Sequence, residues 1–151
     1  MMEGHSIPRL MVAAPSSGSG KTTLACGLLR AAQRRGLAPC AFKCGPDYID
    51  PMFHRSVLGV PSRNLDLFFS SEGEVRSRLV SAAQGHGLAV LEGVMGFYDG
   101  QGNTDRASSW RLAQATRTPV LLAVRPQGTA LTLAALVKGV QTFRTPSQIA
   151  G

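Results

Sequence analysis

The sequence predicts an α/β protein: a mainly parallel sheet with helices on both faces. Three observations carry this expectation. Short apolar runs of strand length alternate with stretches of helical periodicity. A glycine-rich turn, APSSGSGKTT from Ala14 to Thr23, joins the first run to the first helical stretch. The runs end in charged or phosphate-type residues, where parallel α/β sheets place their ligands.

The elements follow in order. Arg9 to Ala14 (RLMVAA) is a buried-strand candidate leading straight into the glycine-rich turn. From Lys21 to Arg35, Leu24, Leu28 and Ala31/Ala32 recur at helical spacing, and Gly36 is a natural stop. Ala38 to Lys43 is a second strand, followed by the turn-forming CGPDYIDP. Asp50 before Pro51 has the pattern of an N-cap with proline at the first helical position, opening a short helix that ends near Gly59. Ser71 to Glu74 fits a capping box, with a helix to about Gln84. Leu88 to Glu92 is a third strand, and a long glycine-bearing loop, GVMGFYDGQGNTD, follows it. A helix near Ser109 to Ala115, a strand from Pro119 to Val124 and a helix from Thr129 to Phe143 complete the alternation. The tail TPSQIAG reads as the start of a fifth strand, so the domain is expected to be incomplete, a fragment of something longer. Trp110 and the Phe68–Phe69 pair are core candidates.

Composition bounds the class. At 151 residues, 44% hydrophobic and 17% charged, the chain is one domain's worth of soluble, globular sequence. Its apolar runs are far shorter than a membrane span, and no secretory signal is recognisable. Three cysteines, Cys26, Cys40 and Cys44, form no C-x-x-C pair and read as structural thiols in a reducing cytoplasm. The net charge is +7, but the basic residues are scattered and few aromatics accompany them. That pattern offers no stacking platform for nucleic acid and suits a polyanionic small molecule equally well, and charge alone does not choose between them.

The chemistry concentrates at the strand ends. The turn after the first strand nearly matches the phosphate-loop pattern G-x-x-x-x-G-K-[ST], with Pro15 in place of the first glycine. Gly18 and Gly20 allow backbone N–H groups to face phosphate at a helix start, Lys21 reaches the outer phosphates, and Thr22 offers a hydroxyl to magnesium. The second strand delivers Lys43, Asp47 and Asp50; the third delivers Glu92 and, in the loop, Asp99; the fourth delivers Arg125. Asp47 and Glu92 are magnesium-ligand candidates, with helix capping as the plain alternative. Asp50 reads equally as an N-cap, and Asp99 as a turn former. Lys43 suits a structural ion pair or the stabilisation of a transferring phosphoryl group. His54 lies in the short helix; His5 and His86 look incidental. The residues alone therefore predict a magnesium-dependent NTP-binding domain with a second, anionic ligand nearby.

GPDYIDPMFH, then SRNLDLFF, then LEGVMGFYDG add a resemblance. From about Leu10 to Gly151 the chain resembles the N-terminal ATP-binding domain of the cobyrinic and hydrogenobyrinic acid a,c-diamide synthases, in the dethiobiotin-synthetase-like group of P-loop proteins. The resemblance implies ATP and Mg2+ as cofactors, a corrinoid polycarboxylate as substrate, and amidation of its a and c carboxylates through an acyl phosphate. It further implies that Ser17, Gly18, Ser19, Gly20, Lys21, Thr22 and Thr23 hold the nucleotide, and that Thr22, Asp47 and Glu92 serve the metal. Lys43, Asp50 and Asp99 would join Asp47 and Glu92 in catalysis, with His54, Asn64, Asp66 and Tyr98 towards the substrate. Ammonia would come from a C-terminal glutaminase domain; none of the three cysteines here sits in a nucleophile-like context. A homodimer is compatible with this reading, and neither nucleic acid nor membrane is implied. The rivals are a dethiobiotin-synthetase-like ligase, a related amidase acting on cobyric acid or nickel-sirohydrochlorin, and a nucleotide-switch ATPase. Ser16-Ser17 speak against the last, because such switches carry an extra lysine early in the loop.

Overall fold

Five parallel strands form one sheet in the order β3-β2-β4-β1-β5, in a computed structural model that describes residues 7–151. They are β1 (Arg9–Ala13), β2 (Pro39–Cys44), β3 (Ser62–Leu65), β4 (Leu88–Glu92) and β5 (Val120–Leu122). The helices are α1 (Lys21–Arg34), α2 (Ile49–Ser56), α3 (Glu72–Ala83), α4 (Ser109–Thr116) and α5 (Leu131–Thr142). His5 lies outside the described residues. Among the described residues no helix is long and apolar enough to cross a membrane.

Side chains alternate along a strand, so each central strand feeds two layers. Met11, Ala13, Phe42 and Leu91 pack with Val75 and Leu79 of α3 and with Trp110 and Leu112 of α4. Val12, Ala41 and Val90 pack on the opposite face with Ala25 and Leu29 of α1 and with Val60. Phe42, Leu91 and Leu29 are each at most 1% exposed, and burial of such a side chain contributes about 2 kcal/mol. The two-faced layering is therefore as expected, and Trp110 is in the core at 7% exposure. All three cysteines are free thiols, with Cys40 and Cys44 buried and Cys26 half-buried.

Several expectations are corrected. The buried seam of α1 is Ala25, Leu29 and Ala32, not Leu24 and Leu28; Leu24 is 36% exposed. The helix begins at Lys21, which itself faces inward, and that sets the phase of every later turn. β3 was not anticipated, because Ser-Arg-Asn-Leu lacks the apolar alternation of a half-buried strand. Its partner β2 supplies the register, pairing Phe42 with Arg63 and Lys43 with Asn64. Phe68 and Phe69 are exposed, at 44% and 75%, rather than core. Asp66 Oδ1 accepts the Phe68 N–H at 2.8 Å, and the resulting turn carries the pair away from the sheet. β5 is three residues long, and the tail contributes a parallel bridge from Ile149 to Val120. The capping box at Ser71 is present in both directions.

Candidate active site

β1 and β4 are adjacent, yet the chain leaves β1 for β2 on one side and leaves β4 for β5 on the other. The strand order reverses there, so a crevice opens beyond their carboxyl ends. The phosphate loop fills one wall of it. Gly18 (φ +74°) and Gly20 (φ +90°) are left-handed, a conformation that a Cβ would strain, and Gly20 is the N-cap of α1. Ser19 Oγ donates to the Ser16 carbonyl at 3.0 Å and closes the loop on itself. Lys21 Nζ donates to two carbonyls, Ser16 at 3.1 Å and Met95 at 2.8 Å. Burial, and next the charge of Lys43, push the Lys21 ammonium below its ordinary pKa. Ser17 and Thr23 are exposed on the loop and first helical turn.

The other wall is a chain of charges. Lys43 and Glu92 are register partners on β2 and β4, both on the α1 face, and their side chains meet at 3.0 Å. Thr22 Oγ1 donates to the same Glu92 oxygen at 2.5 Å. Lys43 Nζ also contacts Asp50 Oδ2 at 2.5 Å and Asp47 Oδ2 at 3.8 Å. Burial alone would lower the Lys43 pKa; the hydrogen bond to Asp50 and the charge of Glu92 outweigh it and raise it. Burial pushes Glu92 above the usual carboxylate range, against the pull of Lys43 and Thr22. Burial would also raise Asp50, but Lys43 prevails and holds it low.

Asp50 is not the N-cap of α2. Tyr48 occupies that position, and Asp47 Oδ1 accepts the Ile49 N–H at 2.9 Å. The turn is thus closed by Asp47, which frees the Asp50 side chain in the first helical turn for Lys43. His54 is 1% exposed, with Nδ1 3.1 Å from Ser62 Oγ and Nε2 3.8 Å from Glu92 Oε2. Among the described residues, neither His54 Nε2 nor Glu92 Oε2 has a hydrogen-bond partner. Burial lowers the His54 pKa, with Asp50 opposing. Asn64 Nδ2 donates to the Gly45 and Asp47 carbonyls at 2.7 and 2.6 Å, pinning the loop that presents the acids.

Three expected residues stand apart from this cluster. Asp99 Oδ2 accepts the Gly96 N–H at 3.0 Å and bends the loop after β4. Asp66 is 8% exposed and lines a cavity of about 250 Å3 with Phe68, Phe69 and Met95. Tyr98 donates its hydroxyl to the Val140 carbonyl at 2.7 Å and stacks among Phe97, Trp110 and Phe143. Arg125 meets the phosphate loop across a cavity of about 340 Å3 that Leu133 and Leu136 help to line.

Two participants were not singled out in the sequence, although both lie within LEGVMGFYDG. Met95 acts through its carbonyl on Lys21, from a left-handed backbone (φ +48°). Gly96 lies so close to the phosphate loop that a Cβ would stand 2.6 Å from the Pro15 carbonyl oxygen and collide with Asp99. Only the neighbouring loop, absent from local sequence, explains that glycine.

The family described as the CobQ/CobB/MinD/ParA nucleotide binding domain matches residues 10–145. The chain is 44% identical over 143 residues to a cobyrinate a,c-diamide synthase of Clostridium acetobutylicum, covering 94% of this chain and 32% of that protein. It is 44% identical over 149 residues to a hydrogenobyrinate a,c-diamide synthase of Streptomyces coelicolor, covering 98% and 31%. A cobyrinate a,c-diamide synthase of Thermoplasma acidophilum is 39% identical over 137 residues, covering 91% and 31%. The chain thus spans about a third of the length of these relatives. With a phosphate loop at the reversal point of a parallel sheet and a match over nearly all of its length, the chain belongs to the CobQ/CobB/MinD/ParA nucleotide-binding domain family.

Proposed function

We propose that this chain is the Mg-ATP-binding part of a synthase that amidates the a and c carboxylates of cobyrinic or hydrogenobyrinic acid. One observation carries the reading: Thr22, Glu92, Lys43 and Asp50 form a continuous line of contacts beside the phosphate loop. The printed names of the relatives supply the substrate class.

The residues present fit magnesium and nucleoside triphosphate. Glu92 offers Oε2, a buried oxygen with no hydrogen-bond partner among the described residues, and Thr22 Oγ1 donates to its other oxygen. Among the described residues no three His, Cys, Asp or Glu side chains converge as a metal cage. Thr22, Glu92 and Asp47 would therefore share magnesium with phosphate oxygens and water, as that ion prefers. When bound, Mg-ATP supplies the phosphoryl group that makes hydroxide-like oxygen on a carboxyl carbon a good leaving group.

The protein's part is positioning and charge neutralisation. Gly18 to Thr22 present backbone N–H groups and the α1 N-terminus to the phosphates, with Ser17 and Thr23 at the rim. Lys21 exchanges its carbonyl partners for phosphate oxygens. Lys43, held by Asp50 and Glu92, faces the charge that develops on the transferring group. A substrate carboxylate oxygen forms the new bond to phosphorus as the bond to ADP breaks, giving an acyl phosphate. Ammonia then attacks the carbonyl carbon and phosphate leaves. The attacking carboxylate is already ionised, so no strong general base is required. Asp99, Asp66 and Tyr98 would act by shaping the loops around the substrate. Ammonia would reach the acyl phosphate from a glutaminase domain elsewhere in a longer protein.

The test is ADP release with Mg-ATP and ammonium, with and without cobyrinic or hydrogenobyrinic acid. Release is expected to depend on the corrinoid; equal release without it would sink the amidation reading.

A further inference from the structure

A second wall of the acid-bearing loop is basic. Arg55 of α2, Arg63 of β3 and Arg78 of α3 converge on a cavity of about 790 Å3 at the free edge of β3. Tyr48, Asn64 and Ser77 also line it, and no Asp or Glu does. Arg63 and Arg78 form no ion pair among the described residues, although Arg78 helps to hold the exposed Glu74 carboxyl low. Arg55 spends one guanidinium N–H on the Ser62 carbonyl at 2.9 Å and retains others. Three guanidinium groups around a cavity with no carboxylate in its lining repel one another and attract an anion with several charges.

The cavity shares its wall with the proposed reaction centre. Asn64 lines the cavity and donates to the Asp47 carbonyl at 2.6 Å, while Asp47 Oδ2 is 3.8 Å from Lys43 Nζ. Ser62 lines it too, with its hydroxyl on His54 Nδ1. Asn64 and Asp47 on one path, and Ser62 and His54 on the other, link the cavity to the Thr22–Glu92–Lys43 line.

We infer that Arg55, Arg63 and Arg78 form a docking site for carboxylates of the substrate that are not reacting, holding a polycarboxylate by its periphery while one arm reaches Lys43. This rests on the proposed function for the identity of the substrate. Such a site would favour an acid with many carboxylates over one with a single carboxylate.

Equilibrium dialysis of cobyrinic acid against the full chain, with a non-hydrolysable ATP analogue and magnesium, tests it. The variants are Arg63→Ala/Arg78→Ala and Arg63→Lys/Arg78→Lys, with circular dichroism as the check on folding and ADP release measured alongside. The alanine pair is expected to bind about tenfold more weakly, as two partly exposed charge contacts allow. Its affinity should also fall less steeply with salt, and the lysine pair should recover part of the loss. A peripherally amidated corrinoid should bind the unsubstituted chain weakly. Unchanged affinity in the folded alanine pair, or equal affinity for the amidated corrinoid, overturns the docking site and leaves the proposed function standing. If the unsubstituted chain neither binds cobyrinic acid nor releases ADP with it, both fall together.

Discussion

Lys43 Nζ is 3.8 Å or less from Asp47, Asp50 and Glu92, and that crowding explains what could be read from single residues. Thr22 was legible from the phosphate-loop pattern, and Lys43, Asp47 and Glu92 because each sits at or just past a strand end. Asp50 read equally as a cap and as a site residue, since Asp-Pro carries the same local pattern whether the carboxylate turns to its own helix or to a lysine seven residues upstream. His54 was legible only as a histidine in a short helix; its environment depends on Ser62, in a strand that the sequence did not reveal. The cysteines behave as the sequence suggests, and they give a pH dependence. Burial pushes Cys40 to about 11 and Cys44 to about 12, from an ordinary value near 9.0. Both folded values lie above the unfolded one, so the native state holds these protons more tightly. The stabilisation is complete below about pH 9 and is lost as pH rises, to about 11 for Cys40 and about 12 for Cys44. Urea midpoints should therefore fall between pH 8 and pH 10.5. The fall should be shallower in Cys40→Ala/Cys44→Ala, by up to about 1.4 kcal/mol per pH unit per thiol. Identical slopes would show that the two thiols ionise alike in both states.

Among the elements, the strongly apolar strands β1, β2 and β4 and the helices α1 and α3 were recognisable because burial on both faces or a clear cap marks them. β3 escaped because an edge strand needs little apolar content, and α1 was found with its face displaced by one residue. The loop after β4 is where sequence says least and structure most. Its carbonyl at Met95 holds Lys21, and Gly96 lets it rest on the carbonyl of Pro15. Substitution Gly96→Ala must separate the two loops, because the added carbon meets backbone as well as the Asp99 side chain. MgADP affinity measured by titration calorimetry should drop about tenfold or more, about 1.4 kcal/mol, with the circular dichroism spectrum retained. Undiminished affinity would mean that the loop after β4 plays no part in shaping the phosphate loop.

Across the whole molecule, order is concentrated around the central strands. α5 has no buried residue although it is the most apolar helix, and its anchors lie at its C-terminal end, where Tyr98 bonds Val140 and packs on Phe143. Hydrogen exchange read by mass spectrometry should show the amides of 131–142 exchanging at least tenfold faster than those of 88–92. Equal protection would place α5 within the same cooperative unit as the sheet. The pairing of Lys43 with Glu92 also reaches beyond chemistry. A slip of β2 by one residue against β4 would turn Lys43 to the face where Phe42 now packs, among Val75 and Leu79, and would strand Glu92 without its cation. Each orphaned charge costs several kcal/mol. The active centre thus proofreads its own scaffold: a sheet assembled out of step is rejected by the very charges that it failed to unite.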